Sequence, residues 1–196
     1  MKFPAIIFLA IIPFTAVAQR VQPATVVNPE IPAHVDFAGH RVDLSTDHMF
    51  ERYARELPAL AYTHGTTLLT LKRAGKFRDE IIPILQKNGV PADLFYLACI
   101  ESNLDPTAIS PAKAAGLWQF MPATGREFGL EVNEDVDERF HTAKATEAAC
   151  RYLKNAYSRF GKWESVAAAQ ALLRRAPAGH GISRAEFSRV KHAVGT

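Results

Sequence analysis

The chain has 196 residues, of which 48% are hydrophobic and 22% are charged, and these proportions exclude a disordered or fibrous protein. Its formal net charge is only +3, so the sequence lacks the dense basic character of a nucleic-acid-binding protein. The length suffices for one domain of ordinary size together with a targeting segment.

Residues 1–18 are predicted to be a signal peptide. Lys2 precedes an apolar run over residues 3–15, and Ala16-Val17-Ala18 supplies the small residues of a cleavage site. The run is short and is interrupted by prolines, which argues against a membrane span and leaves an N-terminal anchor helix as the alternative. We therefore expect export after cleavage near Ala18.

The rest of the chain is predicted to be mostly helical. Residues 19–46 contain three prolines and little periodicity, which predicts an extended arm or linker. From Asp47 apolar residues recur at helical spacing, no alternating strand run is apparent, and a single domain over residues 47–169 is expected. The predicted helical segments are one from Asp47 that ends at Pro58, an apolar stripe over 68–74 that ends at Gly75, a third over 77–85 that ends at Asn88-Gly89, then 92–101, 122–128, 142–160 and one that begins near Trp163.

Glu101 stands at the end of a helix that is apolar on most sides, and such a helix belongs in the centre of a domain. Burial disfavours an ionised carboxylate, so we expect a raised pKa and a group able to donate a proton. The next acid, Asp105, precedes a proline and is typical of a turn, so a second catalytic carboxylate is not apparent. The alternative is a glutamate that reaches solvent or an arginine.

The loop that follows Glu101 has the components of a sugar-binding site. Gln119 can donate and accept hydrogen bonds, Trp118 and Phe120 offer flat apolar faces, and Gly116 permits close approach of the backbone. Core packing is the alternative for the two aromatic residues.

The runs A-C-I-E-S-N-L-D-P and A-I-S-P-A-K-A-A-G-L-W-Q-F-M-P-A-T-G resemble the lytic transglycosylases of the goose-type-lysozyme fold, with the membrane-bound lytic murein transglycosylase D type as the best match. The similarity covers residues 80–169. It implies a predominantly α, lysozyme-like domain that cleaves the MurNAc–GlcNAc β-1,4 bond of peptidoglycan strands and forms 1,6-anhydro-MurNAc. In this family one glutamate acts first as acid and then as base, which explains the lone Glu101.

The resemblance also implies that the exported chain acts in the periplasm or cell envelope, with peripheral association with a membrane or with cell-wall machinery as an open alternative. It implies further site residues but neither a metal nor a cofactor. Its sugar-binding positions correspond to Ser102, Ser110, Gln119, Phe120 and Met121 in this chain. Ser110, which precedes a proline, is equally well explained as an ordinary turn residue.

The match breaks after Ala169. The family pattern continues with an A-Y-N-x-G segment, whereas this chain continues with Q-A-L-L-R-R-A-P-A-G-H-G. Residues 170–196 are therefore predicted to be divergent or truncated, through a disrupted reading frame near residue 170 or as a real arginine-bearing helix. In either case the domain can be incomplete at its C-terminus. A non-catalytic peptidoglycan-binding protein and a hydrolytic muramidase remain alternatives to the transglycosylase.

Two cysteines, Cys99 and Cys150, lie on predicted packing faces. Buried small hydrophobic residues are the first interpretation, and a disulfide between them is the alternative, because export would allow a bridge to persist.

Overall fold

The computed structural model describes residues 30–62 and 64–175. The predicted signal peptide and residues 176–196 of the predicted altered tail lie outside the described residues. Within the described ranges, no helix combines the length and apolar character needed to cross a bilayer.

The described part of the chain is built from helices. Four of them surround the core, and α2 packs on α3 and α5 while α5 packs on α6. Short 3-10 turns at 92–94 and 138–140 lead into α3 and α5. The predicted predominantly α architecture is confirmed. The helices are α1 (Asp47–Tyr62), α2 (His64–Lys87), α3 (Phe95–Ser102), α4 (Pro122–Glu127), α5 (Thr142–Phe160) and α6 (Trp163–Arg175).

The core forms where these helices meet. Its fully buried side chains come from the second half of α2, the entry to α3, one face of α5 and the start of α6, and they include Ile81, Leu85, Leu94, Cys150 and Val166. Asn88 and Gly89 end α2 as predicted, since the Asn88 side chain donates to the carbonyl of Ile84 and Gly89 has a positive φ. The C-terminal half of α2 therefore gives α3 a fixed base.

A β-hairpin occupies part of the predicted arm. Strand β1 (His34–Phe37) pairs with β2 (His40–Asp43) in antiparallel register, and Ala38 and Gly39 turn between them with positive φ angles. The sequence predicted no strands, and this prediction is therefore wrong over residues 34–43. Strands of four residues offer too few alternations to detect, and this pair is stabilised by contacts with the helices.

Two predicted helix ends are also wrong. α1 continues through Pro58 to Tyr62, and α2 continues through both Gly75 and Pro83. A proline removes one main-chain hydrogen bond from a helix, and a glycine lowers its stability. A helix can continue through either residue when the turns on both sides remain helical. Leu71, which was predicted to belong to an apolar stripe, is exposed on α2.

Both cysteines are free thiols. Cys150 is buried against α2, and Cys99 is half-buried on α3. Burial raises the pKa of each thiol to about 11, so both are protonated and unreactive near neutral pH. The interpretation as small packing residues is confirmed.

Candidate active site

A groove of about 110 Å³ runs along one face of the segment that leads into and through α3. The residues that line it from this side recur at helical spacing, which places them on one stripe. Phe37 of β1 and Ala167 of α6 also line the groove. The α3 side is lined by Asp93, Tyr96, Leu97, Ile100 and Glu101.

This arrangement explains the apolar character of α3 on nearly all sides. Phe95 and Ala98 face the core, whereas Tyr96 and Ile100 are 56% and 48% exposed. The helix was predicted to be central and buried all round. It is instead buried on one side and lines an apolar groove on the other.

Glu101 lies in the last turn of α3, is half-buried, and lines the groove. The helix ends one residue later, at Ser102, because Asn103 takes a left-handed conformation and its N–H donates to the carbonyls of Ala98 and Cys99. The carboxyl group is therefore neither in bulk water nor sealed in the core. A ligand in the groove can reach it.

The other carboxylate among the groove-lining residues is Asp93. Its Oδ2 accepts the N–H of Ala38 at 2.7 Å, which ties it to the hairpin. Eight residues separate Asp93 from Glu101, a rise of about 12 Å or more along the helix axis. Paired glycosidase carboxylates lie about 5–10 Å apart, so this spacing does not favour such a pair.

Asp105 has a structural role, as the sequence indicated. One of its oxygens accepts the N–H and the hydroxyl of Thr107, and the other binds Arg73 at 2.7 Å. The hydrogen bonds from Thr107 and the Arg73 charge hold the pKa of Asp105 below its usual value. This ionised group closes the turn after α3 and does not serve as a proton donor.

The loop predicted to bind sugar is fastened directly to the end of α3. Ser102 is buried, and its hydroxyl lies 2.9 Å from the carbonyl oxygen of Leu117 and 3.1 Å from that of Ala98. This contact makes Ser102 a link between the helix that bears Glu101 and the Gly116–Phe120 turn. A direct contact between Ser102 and a sugar stays a prediction, and its hydroxyl is already engaged.

Gly116 and Arg139 hold the other side of this turn. Gly116 has a φ of +75°, and a Cβ atom there would overlap the main-chain carbonyl oxygen of Arg139. The Arg139 guanidinium is buried and donates to the carbonyls of Lys113 and Phe120, while Asp137 binds its other nitrogens. The acidic loop over residues 131–138 thus contributes Asp137 to the support of the turn.

The three central residues of the predicted sugar-binding motif differ in accessibility. Trp118 is buried, and its indole N–H donates to Thr146 at 3.0 Å. Phe120 is 5% exposed and packs edge-on against Tyr152, so it has little surface for a sugar. Gln119 is half-buried with a φ of +48°, and its amide nitrogen donates to the carbonyls of Gly116 and Ala108. Its Oε1 is the atom left for a ligand.

Ser110 and Met121 lie at the two edges of the loop. The Ser110 hydroxyl accepts the N–H of Ala114, which is turn chemistry. Met121 is 40% exposed and precedes α4. Of the six residues predicted from the sequence, Glu101 lines the groove, and the other five form or flank the adjoining loop. Two further groove-lining residues, Tyr96 and Phe37, were not predicted from the sequence. Tyr96 appeared to be a core residue of the apolar helix, and Phe37 lay in the predicted arm.

The Asp137–Arg139 pair predicts an acid-sensitive fold. The hydrogen bonds from Arg139 hold the pKa of Asp137 below its usual value, so its stabilising effect is complete above about pH 5 and is lost as the pH falls toward the folded pKa. We expect Asp137→Asn to lower the free energy of unfolding by about 1–2 kcal/mol at pH 7, and the difference from wild type to shrink below pH 4. Thermal unfolding between pH 2.5 and 7 measures this.

Asp135→Asn is the matched control, since it removes the same charge from an exposed position in the same loop. A stability loss for Asp137→Asn that stays constant over this pH range would contradict the assignment.

Residues 80–172 match the family model described as the Transglycosylase SLT domain. This segment contains α3, the loop, α4, α5 and most of α6, so the groove-lining Glu101 lies inside it. The match extends over a little under half of the chain, and the predicted lysozyme-like fold class is confirmed.

The curated relatives include Membrane-bound lytic murein transglycosylase D of Escherichia coli strain K12, which is 34% identical over 124 residues. That alignment covers 63% of this chain and 26% of the relative. A Putative tributyltin chloride resistance protein of Alteromonas sp. strain M-1 is 29% identical over 109 residues, which cover 55% of this chain and 53% of the relative. The chain thus spans between a quarter and about half of these relatives, and its predicted resemblance to lytic transglycosylases is confirmed.

Proposed function

We propose that this chain is a peptidoglycan lytic transglycosylase that cleaves MurNAc–GlcNAc β-1,4 bonds with Glu101 as its single acid and base. The observation that carries the proposal is the position of Glu101 at the end of α3, half-buried in a groove whose other carboxylate is tied to the hairpin. The matched SLT domain and the murein transglycosylase relative support the same activity.

The reaction needs no second carboxylate, because the nucleophile comes from the substrate. Protonated Glu101 gives its proton to the glycosidic oxygen as the bond from this oxygen to C1 of MurNAc breaks. The resulting carboxylate then takes the proton of the MurNAc C6 hydroxyl, whose oxygen bonds to C1 and closes the 1,6-anhydro ring. Glu101 ends protonated, and no water is consumed.

The remaining predicted residues have supporting roles in this proposal. Ser102 positions the loop against the end of α3, while Gln119 and Met121 supply contacts to the glycan strand from the loop. Ser110 stabilises the turn, and Phe120 packs beneath it. This division follows the atoms that each side chain still has available for a ligand.

The proposed place of action is the cell envelope, and the partner is the peptidoglycan strand. The name of the Escherichia coli relative describes a membrane-bound murein enzyme, and the first 18 residues have a signal-peptide pattern. The exported chain would meet its substrate in the periplasm.

Incubation of purified sacculi with the wild-type chain tests the proposal. We expect soluble fragments that end in 1,6-anhydro-MurNAc, which mass spectrometry distinguishes from reducing MurNAc because they are lighter by one water. Reducing ends would instead identify a hydrolytic muramidase. Binding to sacculi without release of fragments would identify a non-catalytic wall protein.

The second candidate, a non-catalytic peptidoglycan-binding protein, is favoured by one observation. The A-Y-N-x-G segment is absent, and Gln170 stands where the resemblance ends. Gln170 bonds to the Tyr152 hydroxyl at 3.1 Å, so α6 is integrated into the domain at this position. The scaffold around Glu101 can therefore bind glycan even if catalysis is weakened.

A further inference from the structure

The hairpin contributes a wall of the groove although it lies outside the matched SLT domain. Phe37 is the last residue of β1 and lines the groove together with Glu101, whereas the family match begins at residue 80. The groove is thus built jointly by the domain and a segment that the family model does not include. The family match therefore does not account for what the hairpin contributes to the groove.

The hairpin is docked at defined points. The N–H of Ala38 donates to Asp93 at 2.7 Å, and Nδ1 of His40 lies 3.8 Å from Oε1 of Glu164 on α6. Leu44, directly after β2, is 3% exposed. These contacts anchor the hairpin to the entry of α3 and to the start of α6, so they fix the side chain that precedes the turn.

Phe37 lines the groove directly before the turn of the hairpin. Ala38 and Gly39 both have positive φ angles, which reverse the chain immediately after Phe37. Phe37 is half-buried and packs against the core on one side while it lines the groove on the other. Tyr96 of α3 lines the same groove and is 56% exposed.

We propose that Phe37 and Tyr96 form an aromatic subsite that binds one sugar ring of the glycan strand beside Glu101. The inference rests on the proposed function and adds the residues that determine how the strand is held. Flat rings complement the C–H face of a pyranose, and Oδ1 of Asp93 can accept a sugar hydroxyl within the same groove.

Binding of a soluble GlcNAc–MurNAc tetrasaccharide tests the subsite. The parent protein carries Glu101→Gln, so no bond is cleaved, and calorimetry gives the dissociation constant. Phe37→Leu keeps an apolar side chain but removes the ring, and we expect it to weaken binding about fivefold to tenfold. Phe37→Tyr keeps the ring and should bind as the parent does.

Two further variants separate the subsite from packing. Tyr96→Leu should weaken binding by a similar factor without a change in Tm, because Tyr96 is exposed. Phe128→Leu is the matched control, since Phe128 is also half-buried and packs against Tyr152 away from the groove. It should lower Tm but leave the dissociation constant unchanged.

The inference would be overturned if Phe37→Leu and Tyr96→Leu had the same dissociation constant as Phe37→Tyr and the parent. It would also be overturned if the parent did not bind the tetrasaccharide. The proposed function fails on a separate result, namely wild-type protein that releases no anhydro fragments from sacculi. The two failures are therefore distinguishable.

Discussion

Replacement of Glu101 by glutamine should reduce the release of anhydro-muropeptides from sacculi by at least about a hundredfold. A side chain that acts as both acid and base supplies two proton transfers, and each is typically worth about 10²–10⁴ in rate. Glutamine has nearly the same size, so the groove and the fold should persist. Its amide has no acidic proton, so it cannot protonate the glycosidic oxygen. Product release measured by chromatography, together with Tm, checks this result.

The matched control is Glu127→Gln, which removes an exposed carboxylate at the end of α4. It should retain the wild-type rate. If Glu101→Gln also retained that rate, another group would have to supply the proton, and the assignment of Glu101 would be wrong.

Replacement of Gly116 by alanine should cost about 3 kcal/mol or more of folding stability. The residue has a φ of +75°, which is strained for alanine, and its Cβ would overlap the carbonyl oxygen of Arg139. That obstacle is main chain, so no side-chain rotation relieves it. Denaturant unfolding measures the loss, and the displaced loop should also reduce activity.

Gly89→Ala separates the two causes. Gly89 has a similar φ of +70°, but a Cβ there would meet nothing within 4 Å. It should therefore show the conformational cost alone, about 1 kcal/mol. Equal stability losses for the two variants would show that the contact with Arg139 does not constrain the loop.

The sequence predicted what depends on local periodicity and on motif spacing. The α5 helix has the predicted bounds of 142–160, because its apolar stripe is long and Gly161 ends it. Glu101 was selected by its place at the end of an apolar helix, and the structure places it in the groove. Both features are encoded by neighbouring residues.

Contacts between distant residues could not be predicted in this way. The hairpin depends on Asp93, 55 positions from Ala38, and a strand of four residues carries little signal of its own. Trp118 and Phe120 appeared suited to sugar stacking, but their burial is decided by contacts with α5. The same aromatic residue types occur in cores and in sugar-binding sites, so the sequence alone does not distinguish the two roles.

The reading-frame hypothesis for residues 170–196 remains a prediction. α6 extends to Arg175, so the helix continues beyond the point where the resemblance to the family ends. Sequencing of the gene across codons 165–185 tests the hypothesis. A second frame that encodes A-Y-N-x-G would support a disruption, whereas its absence would favour a real divergent helix.

Digestion of sacculi in water enriched in oxygen-18 tests the central claim most directly, because it reports which nucleophile attacks C1. If Glu101 works alone with the C6 hydroxyl of the substrate, the new MurNAc ends will be 1,6-anhydro rings without the label. Reducing MurNAc ends that carry one oxygen-18 atom would show attack by water and contradict the account.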